Sequence, residues 1–277
     1  MTLPTVTSVM PPRHVQVSYI TEIVKLMLWF MHRLMVEKKI EFAAALADYV
    51  DIYRKTSYFR LGDPEETQRR RPAWSRCAAD LEEVFSRHLA CGSPPSRVEE
   101  EGLALLWPHL SERIDLGLPL VEYRRDASFG CFYYYVTGPV VDLHFTNTIM
   151  LAAPFKEPLQ RARELYELVT HCRRRYREAE WIKCGTWLNA YAPFRSLFPE
   201  SWKDTGEPKS YNSLGWWGQF VDHAGDIHTR NVQRFRATGE FPYPCTFHRC
   251  ALSDLAAFLC GILERNGGRR GVGLSAE

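Results

Sequence analysis

GLPLVEYRRDASFGCFYYYVTGPVVDLHFTN, residues Gly117 to Asn147, divides the chain into a helical part before it and a mixed part from it onward. Three β-rich runs stand in it between turn residues: Leu118 to Tyr123, Phe129 to Val136 and Val140 to Phe145. Arg124-Arg125-Asp126 separates the first two, and Thr137-Gly138-Pro139 turns the chain between the second and third. Aromatic and β-branched runs punctuated by Gly, Pro and Asp are the pattern of an antiparallel meander. The stretch ends in a polar group, Asp142, His144 and Asn147.

Upstream the pattern is helical throughout. Apolar residues recur at helical spacing over Ser18 to Lys38, Ile40 to Lys55, Ala73 to Ala90 and Arg97 to about Leu106. Asp63-Pro64-Glu65-Glu66 supplies a cap, a first-turn proline and first-turn acids, and Ser96 with Glu99 reads as a capping box. Downstream, Glu157 to Ala179 is amphipathic, with Leu159, Ala162, Leu165, Tyr166, Val169, Cys172 and Tyr176 on one stripe. It feeds a strand at Trp181 to Leu188, a short helix at Ala192 to Phe198, a strand at Ser213 to Val221, and helices near Thr229 to Thr238 and Ser253 to Glu264. A meander followed by a helix and a further strand is the order of an α+β layer structure. The expected organisation is a helical domain over 1–115, an α+β domain over 116–265 and a mobile tail over 266–277.

Composition narrows the function. Of 277 residues, 45% are hydrophobic, and 35 Lys and Arg stand against 33 Asp and Glu. That balance gives none of the global field by which proteins hold nucleic acid. Tyr19 to Val36 is the most apolar helix, but Glu22, Lys25, His32 and Arg33 interrupt it, so it reads as a core helix and not a membrane span, with a homo-oligomer surface as the alternative. The amino terminus has no signal-peptide pattern, and eight scattered cysteines fit reduced thiols in the cytoplasm. Cys245, His248 and Cys250 lack a second pair to complete a tetrahedral zinc site, and Asp222, His223, Asp226 and His228 follow no metal-binding order, so no metal is expected. There is no dinucleotide or P-loop glycine motif.

The succession VDLHF, long helix, CGTWLN, GWWGQF resembles the GNAT-like acyltransferase fold, in particular GNAT-like C-terminal domains that follow a helical N-terminal domain. The resemblance covers a little over a hundred residues, Leu118 to Val221, and implies a mixed sheet with flanking helices and acyl transfer to an amine or hydroxyl of a small molecule. It places the acyl donor between the strand before the long helix and the helix start. Here that stretch, Thr146 to Pro158, has one lysine and no glycine, so acyl-CoA is one donor among those left open. It nominates Tyr191 as the acid that protonates the leaving thiolate.

The residues themselves suggest the rest of a site. Period-two alternation puts Asp142 and His144 on one face of their strand, as a general-base pair or, equally, as a turn cap and a packed histidine. Thr186, Trp187 and Asn189, beside Trp217 and Gln219, bring indoles and amides to neighbouring strands, the lining of a small-molecule pocket or of a well-packed core. Asn147 joins them as a substrate-binding candidate. The alternatives to acyl transfer are another small-molecule chemistry on the same fold and a non-catalytic interaction module.

Overall fold

The computed structural model describes residues 11–60, 63–118, 127–147, 152–207 and 210–267. In chain order they form α1 (Arg13–Lys38), α2 (Phe42–Ala44) continuing into a π-helical turn at Ala45–Tyr49, α3 (Ile52–Lys55), α4 (Pro64–Ala90) and α5 (Pro95–Asp115). Strands β1 (Ala127–Phe129), β2 (Phe132–Thr137) and β3 (Val140–Phe145) precede α6 (Pro158–Arg175) and β4 (Trp181–Thr186). Then follow α7 (Ala192–Arg195), β5 (Lys203–Asp204), α8 (Leu214–Trp217), α9 (Thr229–Thr238), β6 (Thr246–Ala251) and α10 (Leu252–Gly267). The protein is α+β: a helical amino-terminal region, then a six-stranded mixed sheet of order β1-β2-β3-β4-β6-β5 with helices beside it. No helix among the described residues is long and apolar enough to cross a membrane.

Two compact units divide the chain. One is built from described residues within Arg125–Lys209 and Tyr243–Glu277, the other from those within Met10–Arg124 and Ser210–Pro242. The expected boundary at 115/116 compares with a division at 124/125, and Ser210–Pro242, expected in the second domain, group with the helical unit. The reason lies in SLGWWGQFV, expected as a strand and found as α8 and a 3-10 turn at Gly218–Phe220. In helical geometry Trp217 and Phe220, three residues apart, share a face. Both are fully buried, and with Phe235 of α9 they pack on Phe30 of α1 or on one another.

In the helical unit, α1 lays Ile20, Ile23, Val24, Met27 and Met31 into a core closed by Leu81 and Phe85 of α4 and Leu106 and Leu110 of α5. Most of the apolar residues of Tyr19 to Val36 therefore pack within their own unit, while Val36 is exposed. Asp63 caps α4 as expected, its Oδ1 accepting from Glu66 N at 2.9 Å. Ser96 does not cap α5, because Pro94-Pro95 start that helix two residues earlier; Glu99 instead accepts two hydrogen bonds from Arg236 of α9, at 2.9 and 2.6 Å. A charged group is buried beside α3: Lys55 Nζ lies 3.4 Å from Asp51 Oδ2, and Arg113 donates to the carbonyls of Thr56 and Phe59 at 3.0 Å each. Burial raises the Asp51 carboxyl and lowers the Lys55 amine, each pushed toward its neutral form.

In the sheet unit, α6 and α10 cover one sheet face, and Leu165, Val169, Cys172, Leu255 and Leu259 meet Phe132, Tyr134, Val141, Leu143 and Ile182 there. Of the expected meander, β2 and β3 are present with the turn at 137–139. The first run, Leu118 to Tyr123, lies outside the described residues apart from Leu118, which extends the end of α5 by donating to Arg113 O. The second run is broken, since Gly130 and Cys131 turn the chain between β1 and β2 with Gly130 at φ +57°. This turn is pinned to α6. Cys131 N donates to Glu164 Oε2 at 3.0 Å, and the Arg161 guanidinium donates to Glu164 Oε1 at 2.5 Å and to Cys131 Sγ at 3.0 Å, all buried. Residues 266 and 267 close α10; the rest of the expected tail lies outside the described residues.

Candidate active site

Register builds the site. The tight turn at Gly138 and Pro139, with Gly138 at φ +56°, pairs Tyr135 with Asp142 and Tyr133 with His144 across β2 and β3. β3 then pairs in parallel with β4, setting Asp142 opposite Lys183. Residues directly opposite share a face. With α6 and α10 on the other side, the outer face carries Tyr133, Tyr135, Asp142, His144 and Lys183.

The His144 ring lies between two tyrosines, 4.9 Å from Tyr133 at 17° and 4.9 Å from Tyr135 at 25°. Tyr133 is buried and the other members of the group are half-buried. Asp142 Oδ1 stands 3.6 Å from Lys183 Nζ, and that ammonium lies 5.7 Å from the Phe247 ring centroid. Burial first, and the Asp142 charge second, push the Tyr135 phenol above its ordinary value. The face is thus a row of imidazole, phenol, carboxylate and ammonium in partial shelter, the equipment of proton transfer.

Beside this row the sheet opens. β2 pairs with β3 and β4 with β6 over six residues each, but the β3–β4 ladder runs only from Val140–Trp181 to Asp142–Lys183. Past that point Leu143 to Phe145 and Cys184 to Thr186 pair with their outer neighbours and not with each other. Phe145 stacks on Phe155 at 5.0 Å, and Phe155 meets Tyr191 edge-on at 5.6 Å. Tyr191 also lies 6.3 Å from Trp187, so an aromatic wall flanks the carboxyl ends of the two strands. Comparison with family models, with curated proteins and with solved structures returns no match. The chemistry is therefore argued from this geometry.

The remaining expected site residues do other things. Asn189 is buried with its amide fully engaged: Nδ2 donates to Cys184 O at 3.0 Å and Thr246 O at 2.8 Å, and Oδ1 accepts from Trp202 Nε1 at 3.1 Å. Thr186 caps the 3-10 turn Trp187–Ala190, accepting from Leu188 N at 3.2 Å. The strand expected to Leu188 ends there for that reason. Trp187 stacks on Tyr243 at 5.4 Å. Asn147 reaches back to Ala152 O at 3.4 Å. Trp217 and Gln219, expected in the site, are buried residues of the helical unit, with Trp217 Nε1 donating to Tyr49 O at 3.1 Å and Gln219 Nε2 to Trp216 O at 2.9 Å.

The motifs weighed for metal have structural geometry. Asp222 Oδ1 accepts from Ala224 N and Asp226 N, and His228 caps α9 by accepting from Asn231 N. His248 and Cys250 point into the sheet core from β6, a strand the sequence reading left out. Sequence reasoning also missed Tyr133, Tyr135 and Lys183. A signal existed: counting back from a turn centred on Gly138-Pro139 pairs 137 with 140, 135 with 142 and 133 with 144.

Proposed function

We propose that the protein is a cytoplasmic small-molecule acyltransferase of GNAT-like type, with the outer-face row as its proton-transfer site. The observation that carries this is the parallel pair β3 and β4, joined through α6, paired at its base and opening beside His144 with Tyr191 on the flank. In the acyltransferase fold that this order resembles, the acyl donor occupies such an opening. His144, oriented by its two tyrosines, accepts the proton of an amine or hydroxyl nucleophile. Asp142, held by Lys183, stands opposite Tyr135 as the second acid-base pair. Backbone N–H groups near the carboxyl ends of β3 and β4 polarise the acyl carbonyl. The nucleophile bonds to the acyl carbon, the carbon–sulfur bond breaks, and Tyr191 gives the departing thiolate its proton.

A second reading is favoured by the lack of glycine between Thr146 and Pro158: the same opening used by a small-molecule enzyme that takes no acyl-CoA. Thermal shift against CoA, acetyl-CoA and longer acyl-CoAs separates the two. A donor at 100 times its dissociation constant adds about 2.7 kcal/mol to stability. A melting curve indifferent to every thioester would remove acyl-CoA transfer and leave the second reading.

A further inference from the structure

The register that sets Lys183 opposite Asp142 continues across the sheet. Lys183 pairs with Arg249 of β6, and Arg249 pairs with Lys203 of β5. Three cations therefore stand side by side on the outer face, at strand spacings of about 4.8 Å, spanning roughly 10 Å. Among the described residues Asp142 is the one carboxylate that meets any of them, and it meets Lys183. Among the described residues neither Arg249 nor Lys203 has a carboxylate partner. Arg249 instead lies over the exposed Trp181 ring, 5.0 Å from its centroid, and both Arg249 and Lys203 are exposed.

Like charges directly opposite in a sheet destabilise it. Lysine on an edge strand guards against edge pairing, which accounts for Lys203 by itself. It does not account for Arg249 and Lys183, which occupy interior strands. Guanidinium and ammonium groups arrayed on an open face beside an aromatic ring suit a multiply charged anion, the arginine by a planar fork and the lysines as point charges.

We propose that Lys183, Arg249 and Lys203 form a binding row for a small molecule carrying a phosphate or diphosphate group. From the row to Asp142 is one further strand, so an anion seated on Arg249 lays the rest of its molecule over Asp142, Tyr135 and His144. That the bound molecule is a reactant at His144 rests on the acyl-transfer reading; the binding of the anion does not.

Inorganic pyrophosphate and CoA, titrated calorimetrically into the full chain and into K203Q/R249Q, test both parts. The α6 variant R173Q/R174Q, which removes two equally exposed cations elsewhere, is the control. Pyrophosphate affinity is expected to fall about 10-fold or more in K203Q/R249Q and to hold in R173Q/R174Q. Loss of CoA binding together with pyrophosphate assigns the row to the donor; retained CoA binding assigns it to the acceptor. No binding by the unmodified chain, equal binding by K203Q/R249Q, or an equal loss in R173Q/R174Q overturns the proposal. Should the double variant fold poorly, K203Q alone, at an exposed two-residue strand, is expected to weaken pyrophosphate about 3-fold, and unchanged affinity there overturns it too.

Discussion

A methyl group added at Gly130 would sit 1.9 Å from Glu164 Cδ on a backbone already at φ +57°. The carboxylate cannot step aside, because Arg161 and Cys131 N hold it. Gly130→Ala should therefore cost about 3 kcal/mol or more, the scale of disrupting a buried charged pair plus left-handed strain, and a urea titration within 1 kcal/mol of the parent would contradict the pinned turn. His144→Ala has the opposite profile. Its ring is a half-buried filling between tyrosines, so stability should fall by only about 1 kcal/mol while turnover drops about 100-fold. Unchanged turnover would move the base to Asp142. Protonation acts at the same scale. Burial, as the first cause, holds the imidazoles of His32, His109, His171 and His248 below their ordinary value. The unfolded chain then takes up protons near pH 6.5 before the folded one does, so stability present above about pH 6.5 is lost as the pH falls below it. Melting temperatures should decline from pH 7 toward pH 5, and a flat profile would show these sites to be more open to water than their packing implies.

At the scale of elements, what the sequence disclosed depended on local punctuation. β2 and β3 were legible because FYYYV and VVDLHF flank a two-residue Gly-Pro turn, and α6 because its stripe keeps helical period over five turns. β6 was not, because in TFHRCA the inward positions are His248 and Cys250, and the histidine breaks the apolar alternation. SLGWWGQF misled for the converse reason: adjacent indoles suit a strand, yet Trp217 and Phe220 are the pair that packs. Asp142 and His144 were found because alternation needs only one strand, whereas Tyr135 and Lys183 needed the register of three. Asn189, expected as a substrate contact, is buried with its amide hydrogen-bonded inside the sheet unit. It ties the 3-10 turn to β4, β6 and Trp202, and Asn189→Ala leaves two carbonyls and an indole N–H without that partner. The expected loss is about 2–3 kcal/mol, read as a lower urea midpoint, and a neutral substitution would mean that water replaces the amide.

For the whole molecule, the chain path matters more than the element list. The helical unit is completed by Ser210–Pro242, which supply Trp217, Phe220 and Phe235 to its core. A fragment ending at Arg124 lacks these three aromatics, each worth about 1.5–3 kcal/mol on burial, and should be insoluble or expose its core to dye. A folded, soluble fragment would show the helices before Arg124 to be self-sufficient. The same path imposes an order on biosynthesis. Roughly 120 residues, or about 6–24 s of translation, separate the emergence of Arg124 from that of Pro242, and β6 and α10, the last elements of the sheet unit, follow only then. Neither unit can close until the residues up to and beyond Pro242 have been made. The helices made first must wait without the aromatics that seal their core, so the soluble yield is expected to depend on elongation speed.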